Sequence, residues 1–350
     1  MNNLHKVLLF SSSILLAFGG CCTFSGPVYK GPKSAHFDGQ HFQNLQGKRM
    51  QVKVGQMIRF ATNTKLRGAW SQWVSDKPGK RPPRRVGKGE LRVTFINHAS
   101  VLIQMDGVNI LTDPVYGVRT SPVSFAGPIR RRAPGIRFQD LPPIDLVLVS
   151  HNHYDHMDLP TLRRVYRKYK PLILVPLGNR QLLWKHHIRN VVQMDWWESE
   201  PIQGGVRVTF VPAQHASGRG ICDQRRTLWG GYVLSSRNSR PVYFSGYTGW
   251  GIHFARIHQR FGPMRLALLP IAPERPRRIM EAVHMGPKEA VRAHLTLQAQ
   301  MSMAFHFGTF RLGWDGQNEP VRRLREERRR AKVAAREFLV PRHGVGYTIK

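Results

Sequence analysis

The stretch "PIDLVLVSHNHYDHMD", residues 143–158, joins a short apolar run to a segment with three histidines and two aspartates in eight positions. An apolar run of this length, bounded by proline and polar residues, predicts a strand buried on both faces. Where the chain leaves that strand still extended, residues two apart point the same way, so His151 and His153 can grip one ion together. If the chain then turns into a helix, Asp155 and His156 swing toward a neighbouring point. Imidazoles with a carboxylate suit zinc, with iron or manganese as alternatives. A solvated loop has no physical need of this composition, so the segment predicts a metal site.

Four such groups do not fill two coordination spheres, and further ligands are expected at later strand ends. His215 in "VPAQHASG" follows a predicted strand at 206–212, and His306 in "MAFHFGTF" closes one at 302–306. His284 in "AVHMGPKEA" precedes a helix and is placed facing the same cleft. His98 and His343 are weaker candidates, and His186 and His187 read as solvated helix-end residues.

The surrounding texture is α/β. From Leu91, "LRVTFINHASVLIQMDGVNILTDP" alternates as strands, with a hairpin signal at Asp106-Gly107. "DLPTLRRVYRKY" has helical spacing, with Asp158 as its N-cap. Further strands are predicted at 171–176, 229–235, 241–245 and 265–271, and helices at 287–300 and 319–338. Interleaved strands and helices predict layers of helix on sheet.

The 350-residue chain is 41% hydrophobic, enough for a real core, and carries 54 Lys+Arg against 21 Asp+Glu, a net charge of +33. That excess predicts attraction to anionic partners. Residues 1–20 read as a signal peptide: Lys6, an apolar stretch to Phe18, then Gly19-Gly20-Cys21. Small residues before a cysteine resemble a bacterial lipoprotein signal, with Cys21 lipidated and the chain exported to the cell envelope. Residues 21–89 read as an extension ending in the basic linker "KPGKRPPRRVGKG" at 77–89, and residues 90–350 as the folded domain. Besides Cys21 there are only Cys22 and Cys222; nothing in the sequence supports pairing them, and Cys222 reads as a quiet loop thiol.

The motif "HNHYDH" resembles the metal signature of the metallo-β-lactamase superfamily. "NHASVLIQMDGVNILTDPVY", "VPLGN", "DWWE", "LWGGYVL", "RFGPMRLALLPI", "HMGPKEAV" and "FHFGTF" resemble one branch of it, the zinc phosphodiesterases like N-acylphosphatidylethanolamine-hydrolysing phospholipase D. "HFDGQHFQN" at 36–44 fits the N-terminal region of that branch. The resemblance implies a four-layer αββα sandwich with two metal ions at the sheet edges. It implies that His151, His153 and His215 hold the first ion, and that Asp155, His156 and His306 hold the second. Asp113 would orient a ligand histidine from behind, and His284 would contact substrate or leaving group. The implied chemistry is attack on a phosphodiester by water activated between the ions.

One position departs from the family. Where its strand-end motif has a bridging aspartate, "FSGYTGW" at 244–250 has Tyr247. A neutral phenol offsets less of the repulsion between two divalent ions than a carboxylate does. Three outcomes compete: a single ion, most readily at His151/His153/His215; a metal-bound phenolate; or loss of catalysis. The first is favoured, so one zinc is expected rather than two.

Arginine clusters at 130–132, 275–278 and 321–336, together with the lipid anchor, predict attachment to an anionic phospholipid membrane and a phospholipid-like substrate. No helix-turn-helix, zinc-finger or RNA-binding signature is present, which argues against nucleic acid as the partner. The leading expectation is a membrane-associated phosphodiesterase. Its rivals are a catalytically impaired lipid-binding envelope protein and a hydrolase of lactone or amide bonds.

Overall fold

The computed structural model describes residues 24–47, 55 and 63–350. Cys21 and the leader expected at 1–20 lie outside the described residues. Among the described residues, no helix is long and apolar enough to cross a membrane.

Among the described residues, fourteen strands form two seven-stranded mixed sheets. The first contains β1 (Leu91–Asn97), β2 (Ser100–Met105), β3 (Val108–Thr112), β4 (Leu146–Leu148), β5 (Leu172–Pro176), β6 (Val191–Met194) and β14 (Gly346–Ile349), in the order β14-β1-β2-β3-β4-β5-β6. The second contains β7 (Ser199–Pro201), β8 (Arg207–Val211), β9 (Gly231–Ser236), β10 (Ser239–Phe244), β11 (Leu266–Pro270), β12 (Met301–Phe305) and β13 (Phe338–Leu339), in the order β13-β12-β11-β10-β9-β8-β7. The apolar run at 144–149 is explained by its neighbours on both sides. Leu146 and Leu148 enter the core between the sheets, whereas Val147 and Val149 pack outward with Leu162 and Val165 of α1 (Leu159–Tyr169). Helices α3 (His253–Phe261) and α5 (Pro287–Thr296) cover the second sheet, Phe254, Ile257, Ala290 and Val291 joining its core. The result is the expected four-layer αββα sandwich.

Strand direction places the site. β3, β4 and β5 run parallel, and β1 is related to β3 through two antiparallel steps, so their C-terminal ends share an edge. β10, β11 and β12 run parallel, and β8 reaches β10 by two antiparallel steps through β9. The segments after β1, β3 and β4 therefore meet those after β8, β10 and β12.

Several expectations need correction. The last two helices are shorter than predicted: α5 stops at Thr296 and α6 spans Glu319–Arg330. Asp158 precedes α1 but makes no side-chain bond to its backbone; its Oδ2 accepts instead from Thr161 Oγ1 at 2.6 Å and Gly117 N at 3.0 Å. Cys222 is disulfide-bonded, not a quiet thiol. Part of the extension belongs to the core: Phe37 and Phe42 are buried in it, and Tyr29 packs edge-on against Phe37 and tilted against Phe42. The "RRR" cluster is mainly structural. The Arg130 side chain is buried and donates to Gly117 O, Arg132 O and Val115 O. Arg132 donates to Gly308 O and pairs with Asp76.

Candidate metal centre

Two clusters form where the sheet edges meet. His151, His153 and His215 make one, and His98, Asp155, His156 and His306 the other. In the first, His151 Nε2 and His153 Nδ1 stand 2.8 Å apart. In the second, His156 Nε2 lies 3.0 Å from His306 Nε2, and each is 3.4 Å from Asp155 Oδ2. A tetrahedral zinc with nitrogens about 2.0–2.1 Å away sets its ligand atoms about 3.3 Å apart, close to these separations.

The tautomers are fixed from behind. Ser150 Oγ donates to Asp113 Oδ2 at 2.7 Å, so it accepts from His151 Nδ1 at 2.9 Å and leaves a lone pair on His151 Nε2. His156 Nδ1 donates to Asp113 Oδ2 at 2.7 Å, which leaves the lone pair on Nε2. His215 Nδ1 donates to Val283 O at 2.9 Å. Its Nε2 is buried with no hydrogen-bond partner among the described residues. Buried lone pairs converging on a point are costly unless a cation joins them. The residues present therefore fit a metal ion.

Electrostatics agree. Burial holds the pKa values of His151, His215 and His306 well below the ordinary histidine range, keeping them neutral. Burial alone would raise Asp155, but His156 and the hydrogen bonds around it hold it well below the usual carboxylate range. Burial would also depress His156, yet Asp155 and Asp113 outweigh it and raise the value to about 9. In this carboxylate-rich cluster a proton and a metal ion compete for one nitrogen.

His98 was underrated from sequence. It follows β1, its Nε2 lies 2.8 Å from Asp155 Oδ2, and its ring packs 3.8 Å from that of His306. The signal was available: "NHAS" ends a strand at the same edge as the histidine cluster. His98, Asp113 and His306 all adopt positive φ, 47°, 32° and 64°, a region uncommon for non-glycine residues.

Tyr247 lies among both clusters. Its ring is stacked on His306 at 3.9 Å and 9° and stands 4.7 Å from His215 and 4.6 Å from His284. Its hydroxyl is buried without a partner among the described residues. Burial, then Asp155, raises its pKa well above the ordinary phenol value. Gly246 permits the turn: its φ is +59°, and a Cβ there would stand 2.3 Å from Gly230 O. His284 Nδ1 lies 2.9 Å from the Met280 thioether, which only accepts, so Nε2 carries the lone pair. Burial lowers its pKa to about 3. His186 is the C-cap of α2 (Arg180–Lys185) and His187 follows it; neither takes part in either cluster. His343 lies outside both clusters.

Asn44 was also missed as a site residue. Its amide donates to His215 O at 2.8 Å and accepts from His215 N at 3.0 Å. The segment "HFDGQHFQN" thus holds a cluster residue by its backbone.

The chain matches the beta-lactamase superfamily domain family over residues 108–307. It belongs to the metallo-β-lactamase superfamily. It is 38% identical over 234 residues to N-acyl-phosphatidylethanolamine-hydrolyzing phospholipase D 1 of Caenorhabditis elegans, covering 64% of this chain and 65% of the relative. It is 32% identical over 236 residues to the mitochondrial N-acyl-phosphatidylethanolamine-hydrolyzing phospholipase D of Saccharomyces cerevisiae, covering 66% and 50%. These matches span less than two thirds of either relative's length. An isothiocyanate hydrolase from Delia radicum gut bacteria shares the fold, with a TM-score of 0.57 at 20% identity over 74% of this chain and 99% of that one.

Proposed function

We propose that this metallo-β-lactamase superfamily member is a metal-dependent hydrolase, a phosphodiesterase of the phospholipase D type acting on phospholipid-like esters. The carrying observation is the convergence of imidazoles from both sheets, with His151, His156 and His215 fixed from behind by Ser150, Asp113 and Val283 O. The two phospholipase relatives support the choice of bond and substrate class. His151, His153 and His215 would hold one zinc, leaving a fourth position open, the pattern of catalytic rather than structural sites. A divalent ion there supplies Lewis acidity and an activated water at neutral pH. Asp155, His156 and His306 would hold a second, weaker ion, because Tyr247 contributes a neutral ring where the family has a bridging carboxylate. His284 Nε2 is an acceptor for a substrate or leaving-group hydroxyl.

The same reading places the protein at the bacterial cell envelope, exported and anchored through Cys21 against anionic phospholipid. The +33 charge and the leader pattern support this, and so does the disulfide at Cys222, since such bonds persist in oxidising compartments. A second reading rests on Tyr247 itself: with the bridge replaced by a stacked phenol, the scaffold binds lipid without turning it over.

Elemental analysis of native protein and Tyr247→Asp, with both assayed on bis(p-nitrophenyl) phosphate, separates the two. The hydrolase reading expects about one zinc per chain and slow turnover in the native protein. It also expects a second ion and faster turnover in the aspartate variant. Absence of metal and turnover in both forms sinks it and leaves the lipid-binding reading.

A further inference from the structure

The basic linker at 77–89 lies outside the metal chemistry, yet it helps to wall a cavity of about 390 Å³. Lys77 and Lys80 come from the linker, Arg92 and Thr94 from β1, and Arg342 and His343 from the turn before β14. No carboxylate lines this cavity. Among the described residues, none of its four cations forms an ion pair. Like charges gathered around one space repel unless an anion joins them.

Three polar groups in the wall also lack partners. Arg132 Nη1, which can only donate, stands 2.7 Å from His343 Nδ1, so that nitrogen accepts and Nε2 carries the proton. Burial, then Arg132, lowers the His343 pKa to about 3, so the ring is neutral with that single N–H. His343 Nε2, Arg92 Nε and Thr94 Oγ1 are all buried with no hydrogen-bond partner among the described residues. Native folds rarely leave such groups unmet, and here three sit beneath the wall of one cavity.

The walls are fixed. Gly79 N donates to Gly135 O at 2.7 Å and Gly344 N to Phe95 O at 2.8 Å. A Cβ on Gly79 would stand 1.9 Å from Gly344 O, so these turns meet by bare backbone. The cavity is set apart from the metal centre by Phe95, whose ring is stacked on Phe307 at 5.4 Å and tilted against His343 at 4.7 Å.

We propose that this cavity is a binding site for a phosphate ester, distinct from the metal centre, in which the Arg92 guanidinium grips the phosphoryl oxygens and Lys77, Lys80 and Arg342 supply the field, with the polar groups of Thr94 and His343 behind them. A phosphate monoester carries a charge of about −1.5 to −2 and several acceptor oxygens, which suits four cations better than a carboxylate does. The volume lies in the range of about 300–1,000 Å³ of small-molecule sites, leaving room for an organic part beside the phosphoryl group. That group can arrive on a soluble ester or on a lipid headgroup.

The test uses the full chain, with glycerol 3-phosphate followed by calorimetry and vesicles of phosphatidic acid in phosphatidylcholine followed by co-flotation. Arg92→Gln should weaken binding by at least about tenfold, the loss expected for a charge-assisted contact. The double variant Lys77→Gln/Lys80→Gln, confined to exposed linker positions, should weaken it about fivefold and flatten its salt dependence even if Arg92→Gln fails to fold. His306→Ala, at the metal centre, should leave it within about twofold. Soluble ester that binds and displaces the vesicles supports a free ester as ligand. Vesicle binding alone, lost in the linker variant, supports a headgroup. No binding of either probe, binding indifferent to both basic variants, or binding abolished by His306→Ala overturns the proposal.

Discussion

Asn44→Ala tests whether the N-terminal segment is part of the metal centre. The side chain bridges both backbone groups of His215, at 2.8 and 3.0 Å, and accepts from Trp229 Nε1 at 3.1 Å. Trp229 keeps a second acceptor, Ala213 O at 3.1 Å, so the loss falls on the His215 peptide groups. Both lie in a buried environment, and each unmet group costs about 1–3 kcal/mol. The variant should therefore lose ~2–5 kcal/mol, read as a lower urea midpoint at unchanged slope. Because His215 is displaced, zinc affinity should fall by about 10–100-fold, the usual effect of removing a residue that orients a ligand. The assay pairs urea unfolding with competition for zinc against a chromophoric chelator. Asn44→Asp sharpens it: the carboxylate still accepts from His215 N but cannot donate to His215 O. If Asn44→Ala unfolds within about 0.5 kcal/mol of native and holds zinc as tightly, the extension is not a support of the site.

Two further outcomes follow from buried groups. Tyr247→Phe deletes a hydroxyl with no partner among the described residues, so stability should hold or rise by about 1 kcal/mol with zinc content unchanged; metal lost with the hydroxyl would instead make the phenol oxygen a ligand. His253 is buried, and burial lowers its pKa to about 3. Below the unfolded value of about 6.5 the unfolded chain binds the extra proton, so stability falls with pH across the window from 6.5 towards 3, by ~2 kcal/mol at pH 5. Urea midpoints at pH 7 and pH 5 should show His253→Gln losing that much less than native, and an equal loss in both would refute the assignment.

The parts of the fold legible in the sequence were those governed by local pattern. The run at 144–149 read as a doubly buried strand because both of its faces are covered, and the following histidines read as ligands because strand geometry aligns alternate residues. His215 and His306 were found by the same rule, as residues just past an apolar strand. His98 obeys that rule too, but a lone histidine in a hairpin region carries no neighbouring ligands to mark it. Asn44 was hidden for a different reason. It acts through a contact 171 residues away in sequence, which no local pattern encodes. The arginines at 130–132 misled because composition records charge but not burial: Arg130 satisfies three carbonyls inside the protein instead of facing a membrane.

Tyr247 has consequences for the fold as well as for the chemistry. Each cluster draws histidines from both sheets: His215 joins His151 and His153 across the edge, and His306 joins His98, Asp155 and His156. A cation in either cluster therefore ties the two sheets together, and its binding adds to folding stability by mass action. A bridging carboxylate at 247 would have made the two ties interdependent. With Tyr247 stacked on His306, each cluster keeps its own histidine from the second sheet, so losing one ion leaves the other tie in place. The sheets themselves are held by the apolar core between them, in which Phe95, Phe210, Phe244 and Phe305 are fully buried. The weak second metal site proposed above is thus compatible with an intact sandwich.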